Sequence, residues 1–161
     1  MGYLNPVLQY GFEKFCKDAA AVGVDGLIIP DLPEYEYEMI YRPIIKKYGL
    51  DFIFLLTPET EKKRIQKLDK LSSGFIYAVA SSSTTGKDQD MKKLTAYLSR
   101  LKNMKLKNPV LAGFGIRDKK GFETVCEQAS GAIVGSAYIK TLEAGTGIGA
   151  ATKSFLASLL G

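Results

Sequence analysis

The residues best placed to do chemistry are glycines. "PVLAGFGI" (109–116) runs a short apolar strand into Gly113, Phe114 and Gly115, and a helical stretch follows. "GAIVGSAYIK" (131–140) repeats the pattern, with an apolar strand, then Gly135 and Ser136, then a helix. A third turn, "SSSTTG", places Thr85 and Gly86 after the strand "GFIYAVASS" (74–82). A glycine between a strand end and a helix start has no Cβ, so a backbone N–H can approach an anion closely. Each glycine alone is also explained by a tight turn. Two such turns on successive strands favour phosphate binding, with Gly86, Gly115, Gly135 and Ser136 as candidates.

Other chemistries are narrowed by composition. The chain has no histidine, which excludes Ser-His and Cys-His pairs and the common histidine metal sites. No Cys-x-x-Cys or carboxylate spacing suggests a metal. Cys16 and Cys126 lie far apart in helical sequence and read as two reduced thiols rather than a disulfide. Acid–base work would fall to Asp, Glu, Lys or Tyr.

The net charge of +5 comes from lysine-rich helical segments such as "KKRIQKLDK". Apolar residues at Ile65, Leu68 and Leu71, and at Met91, Leu94, Leu98 and Leu101, recur at helical spacing, which puts the lysines on an outer face. That pattern predicts a solvated surface and no nucleic-acid partner. No apolar run is long enough to span a membrane. "MGYLNPVLQY" has neither the basic nor the apolar region of a secretory signal. The expectation is a cytoplasmic protein with no membrane association.

The elements that must position the glycines alternate. Buried strands are predicted at 26–33, 51–58, 74–82, 109–115 and 131–136, separated by amphipathic helices, with "MGYLNP" as the exit from a further strand. Thr57 and Pro58 read as the N-cap and first residue of the helix after the second strand. Pro43 interrupts the helix "YEYEMIYRPIIKKYG", and Glu34, Glu36 and Glu38 read as its solvated start. Such alternation means right-handed crossovers and a parallel sheet. The unit lengths suit a (β/α)8 barrel, of which 161 residues hold about five units and a remnant, in one domain over 1–161. The alternative is an open, five-stranded, doubly wound sheet.

"MGYLNPVLQYG", "AAAVGVDGLIIPDLP", "SGFIYAVASSSTTG", "PVLAGFGI" and "GAIVGSAYIK" together resemble, in order and spacing, segments of the tryptophan synthase alpha chain family. "DGLIIPDLP" with "GFGI…VGSA" is specific. Either alone would also suit other phosphate-binding barrels, such as indole-glycerol-phosphate synthase or phosphoribosylanthranilate isomerase.

The resemblance implies cleavage of indole-3-glycerol phosphate to indole and glyceraldehyde 3-phosphate, within tryptophan biosynthesis. Indole would pass to a tryptophan synthase beta chain, the chain that carries pyridoxal phosphate; no cofactor is implied in this one. Residue by residue, it implies phosphate binding by Gly86, Gly115, Gly135 and Ser136. It implies an indole pocket lined by Ile28, Leu55, Tyr77, Phe114 and Ile133, with Tyr3 near the reacting centre. Thr85 matches the threonine of a loop that closes over substrate. Asn5, Asp31 and Pro33 match polar and turn residues at the site mouth and partner surface. Composition and spacing alone would assign Ile28, Leu55, Tyr77 and Ile133 to plain core.

Two departures stand out. "SSSTTG" has Ser83 where many members have glycine, which stiffens the loop. The family's catalytic glutamate and aspartate match no residue of this sequence, which reads as the C-terminal two-thirds of an alpha chain. That reading predicts an inactive chain with open barrel edges through which it self-associates. A non-catalytic phosphate-binding or interaction protein is the other reading.

Overall fold

The computed structural model describes residues 1–79, 87–113, 115–145 and 147–161, with the backbone alone at 87–90. The chain forms two compact units. Met1–Tyr77 and Leu106–Pro109 make the first, and Ala78–Lys105 and Val110–Gly161 the second.

The first unit opens with helices α1 (Leu4–Tyr10) and α2 (Phe12–Ala21), separated by Gly11 at φ 92°. Strand β1 (Gly26–Leu27) pairs in parallel with β2 (Asp51–Phe52), Leu27 lying opposite Phe52. Between them run α3 (Glu34–Glu36), a π-helical turn (Tyr37–Tyr41) and α4 (Arg42–Lys47). The wide turn falls just before Pro43, which has no N–H to continue the α-helical ladder to Met39. The expected strand 51–58 is two short pieces, β2 and β3 (Leu55–Leu56). Phe52, Ile53 and Phe54 are all buried, as a strand covered on both faces requires. Tyr37 stacks on Phe52 at 4.4 Å and meets Phe54 edge-on at 5.0 Å, so the π-helical turn is packed against this strand.

Helix α5 (Lys62–Leu71) buries Ile65, Leu68 and Leu71, the spacing read from the sequence. Its start differs from expectation. Thr57 and Thr60 close a turn instead: the Thr57 amide donates to Thr60 Oγ1 and the Thr60 amide to the Thr57 carbonyl, both at 3.0 Å. A hydroxyl three residues on competes for the backbone and delays the helix, whose N-cap is Glu61. Strand β4 (Ile76–Val79) follows, and the Tyr77 amide donates to the Phe54 carbonyl at 3.0 Å.

In the second unit, α6 (Lys87–Asn103) buries Leu94, Leu98 and Leu101. Strand β5 (Val110–Gly113) leads to α7 (Lys119–Cys126), whose N-cap Asp118 accepts the Gly121 amide at 2.8 Å. Strand β6 (Gly131–Ile133) pairs with β5 in parallel. Helices α8 (Ser136–Glu143) and α9 (Ile148–Leu160) are separated at the glycine-rich "GTGIG", with Gly145 at φ 78° and Gly147 at φ 84°. Among the described residues, no helix is long and apolar enough to cross a membrane.

Candidate functional site

The register of β5 and β6 decides how the second unit presents its glycines. Gly113 pairs with Ile133 at the C-terminal ends of the two strands. The chain therefore leaves both strands level, and Gly115 and Gly135 each come two residues later. Gly115 sits at φ 34°, in the region glycine favours, while Gly135 at φ −104° does not need to be glycine for its backbone. A Cβ built on either meets nothing within 4 Å. Gly135 is the N-cap of α8 and Ser136 its first residue, with no side chain capping the turn. The leading amides of a helix have no partner inside it, and its dipole is positive at that end. Gly135 and Ser136 are exposed, and Ile133 is half-buried.

The first unit holds the other half of the candidate residues. Tyr3 is 70% exposed and is gripped on both sides. The Gly2 amide donates to the Ile28 carbonyl at 3.0 Å, and the Leu4 amide to Asp31 Oδ1 and Oδ2 at 2.9 and 3.1 Å. Asp31 thus anchors the start of α1, and the Gly2–Ile28 hydrogen bond ties the residue before Tyr3 to Ile28. Leu55 and Tyr77 are neighbours through the Tyr77–Phe54 hydrogen bond, and both are half-buried. Thr85, Gly86 and Phe114 lie outside the described residues.

A cavity of about 190 Å³ opens beyond the end of β1, beside the link from β2 to β3. Ile29, Leu32, Ile53, Leu55 and Leu68 supply its apolar wall, and Glu34 and Arg64 line it too. Glu34 is expected from the sequence on a solvated helix start, and Arg64 carries no sequence signal of its own. Glu34 and Glu38 are not a freely solvated helix start: Lys67 lies 3.6 Å from Glu34 and 2.8 Å from Glu38, and the side chains of both acids are about two-thirds shielded. The hydrogen bond to Glu38 and the two carboxylate charges hold Lys67 above its ordinary pKa. The signal available was the i, i+4 pairing of Glu34 with Glu38, which one cation can bridge.

A second missed cluster is structural. Asp69 and Asn108 are buried. Asp69 Oδ2 accepts the Lys107 amide at 2.8 Å, and Oδ1 accepts the Asn108 amide and side-chain Nδ2 at 3.0 Å each. Nothing local in sequence links residues 39 apart. Both cysteines are free; Cys16 is wholly shielded, and burial pushes its thiol up to about 11. Among the described residues, no group of His, Cys, Asp or Glu could hold a metal ion.

Parallel β/α units with glycine turns after successive strands fit the β/α-barrel class. The chain matches the family model for the tryptophan synthase alpha chain over residues 1–158. It is 50% identical over 149 residues to the tryptophan synthase alpha chain of Flavobacterium johnsoniae, covering 91% of this chain and 59% of that one. It is 48% identical over 144 residues to that of Bacteroides thetaiotaomicron, covering 89% of this chain and 56% of that one. Among solved structures, the tryptophan synthase A-subunit of Pyrococcus furiosus superposes with a TM-score of 0.84 at 30% identity, over 98% of this chain and 64% of that one. Tryptophan synthase from M. tuberculosis gives 0.79 at 33% identity, over 98% and 59%.

The chain belongs to the tryptophan synthase alpha chain family, and its fold is part of that family's (β/α)8 barrel, not a doubly wound sheet. It spans between half and two-thirds of the length of the relatives it matches.

Proposed function

We propose that this chain supplies the phosphate-binding and ring-binding parts of a tryptophan synthase alpha site acting on indole-3-glycerol phosphate in tryptophan biosynthesis. The observation that carries this reading is the level exit of β5 and β6 into Gly115 and Gly135–Ser136, before an uncapped helix, in a chain of this family. A phosphate dianion there would accept hydrogens from the first-turn amides of α8 and from the Ser136 hydroxyl, favoured by the positive end of the helix dipole. The resemblance assigns Gly86 as the fourth phosphate contact and Thr85 to a loop that closes over substrate. The family resemblance assigns the indole ring to Tyr3, Ile28, Leu55, Tyr77, Phe114 and Ile133.

The reaction breaks the bond between indole C3 and the glycerol chain. A proton delivered to C3 makes the ring an electron sink. Removal of the proton from the adjacent glycerol hydroxyl forms the aldehyde as the carbon–carbon bond breaks, and its electron pair returns to the ring. Both transfers need a positioned acid or base, worth roughly 10²–10⁴-fold each. The resemblance assigns them to a glutamate and an aspartate that match none of these 161 residues. These residues therefore bind and orient substrate, and turnover awaits that pair. We place the protein in the cytoplasm. Its partner is a tryptophan synthase beta chain, which holds the pyridoxal phosphate and takes the indole.

Calorimetry with indole-3-propanol phosphate, an unreactive analogue, tests this reading. We expect binding by the 161-residue chain, with no indole released from indole-3-glycerol phosphate. A separately expressed segment carrying the two carboxylates should restore release. Absence of analogue binding, or robust indole release by the chain alone, would overturn the assignment.

A further inference from the structure

The cavity beyond the end of β1 joins an apolar wall to an open ion pair. Ile29, Leu32, Ile53 and Leu68 on its lining are buried, and all four are branched aliphatics. Glu34 and Arg64 line it as well. The two charges do not close on each other: Arg64 Nε stands 3.9 Å from Glu34 Oε2, beyond hydrogen-bond length. Glu34 Oε2 is buried and has no hydrogen-bond partner in the protein. Lys67 does not serve it, since it lies 3.6 Å from the other oxygen and is held by Glu38 at 2.8 Å. A buried carboxylate oxygen left unmet is costly and calls for a donor. The Arg64 side chain is 63% exposed, so its guanidinium has room to turn toward an acceptor. A loose pair of this kind contributes little to stability, so little is lost when a ligand enters it.

We propose that this cavity binds a free α-amino acid with a branched aliphatic side chain, such as leucine. The ammonium donates to Glu34 Oε2, the carboxylate accepts from Arg64, and the side chain lies against Ile29, Leu32, Ile53 and Leu68. One carbon carries both charges in such a ligand, which suits a carboxylate and a guanidinium 3.9 Å apart. An amine alone or an acid alone meets only one of them. The volume of about 190 Å³ is below the ~300 Å³ at which pockets for drug-sized ligands begin, which admits an aliphatic amino acid and not a nucleotide. Leu55 is the one lining residue that the resemblance also gives to indole. Among the described residues no glycine lines this cavity, so a failure here leaves the phosphate reading standing.

The test titrates the 161-residue chain with L-leucine and records amide spectra. Leu32, Glu34 and Arg64 should shift and saturate on the order of millimolar. Isoamylamine and isocaproate, which keep the apolar chain and one charge each, should bind at least tenfold more weakly. So should glycine, which keeps both charges and lacks the side chain. Glu34→Gln is nearly isosteric and Arg64→Gln alters an exposed side chain, so the circular dichroism of each should not change, while leucine affinity falls at least tenfold. The ligand series uses the unaltered chain and decides the matter even where a variant fails to fold. No saturable shift at those amides would overturn the proposal. Equal binding of isoamylamine would also overturn it, by making this a simple cation site, as would undiminished leucine binding in both variants.

Discussion

Gly113 and Ile133 lie side by side at the ends of the parallel pair β5–β6. That one register point makes two glycines, distant in sequence, into a single candidate cradle: Gly115 and Gly135 follow at equal distance from the paired ends. Shifting the register by one residue would flip the strand faces and lift one turn out of level with the other.

The two glycines give different experiments. At Gly135 the backbone is open to any L-residue, and a new Cβ touches no protein atom. Gly135→Val should cost no more than the modest penalty of a poorer N-cap and lower affinity for glycerol 3-phosphate at least tenfold. At Gly115, φ 34° makes any side chain strained, so Gly115→Val should lower both stability and affinity. Thermal melts beside calorimetry separate the two outcomes. Equal loss of stability in both variants would refute the contrast.

The Asp69–Asn108 cluster should behave as a clasp. Removing the carboxylate leaves the Lys107 and Asn108 backbone amides unmet, while the Asn108 side chain keeps the Asp69 and Ser72 carbonyls. Asp69→Ala should cost about 3 kcal/mol, by the usual penalty for unsatisfied buried groups. Asp69→Asn, which keeps one acceptor, should cost less. Urea denaturation of the two variants checks the order.

Cys16 predicts a pH dependence. Burial favours its neutral thiol and raises the folded pKa to about 11, above an ordinary value of 9.0. The thiol's contribution to stability is thus fully present below pH 9.0 and is lost as pH rises toward 11. Urea midpoints should fall across that window, and Cys16→Ala should flatten the fall. A thiol reagent at pH 8 should modify Cys126 faster than Cys16 until urea exposes both.

The alternation of β/α units, the buried stripes of α5 and α6, and the glycine turns were legible because they are local and periodic. The split of the strand 51–58 was not, since its apolar run is continuous. Thr57 carried a good N-cap signal, yet Thr60 captured its amide and moved the helix start to Lys62. The resemblance puts Asp31 at the site mouth. Its hold on the Leu4 amide, 27 residues away, is a tertiary fact with no periodic signature. The Asp69–Asn108 clasp has none either, whereas the Lys67 bridge has a local trace in the i, i+4 spacing of Glu34 and Glu38.

The central claim is that the turns after β5 and β6 hold a phosphate ester, and amide spectra recorded during titration test it most directly. With glycerol 3-phosphate, the amides of Gly115, Gly135 and Ser136 should shift together and saturate on the order of millimolar, about −4 kcal/mol. The shifts should vanish in Gly135→Val. Unmoved amides at those three positions, with shifts confined to the lysines of α5, would contradict the account.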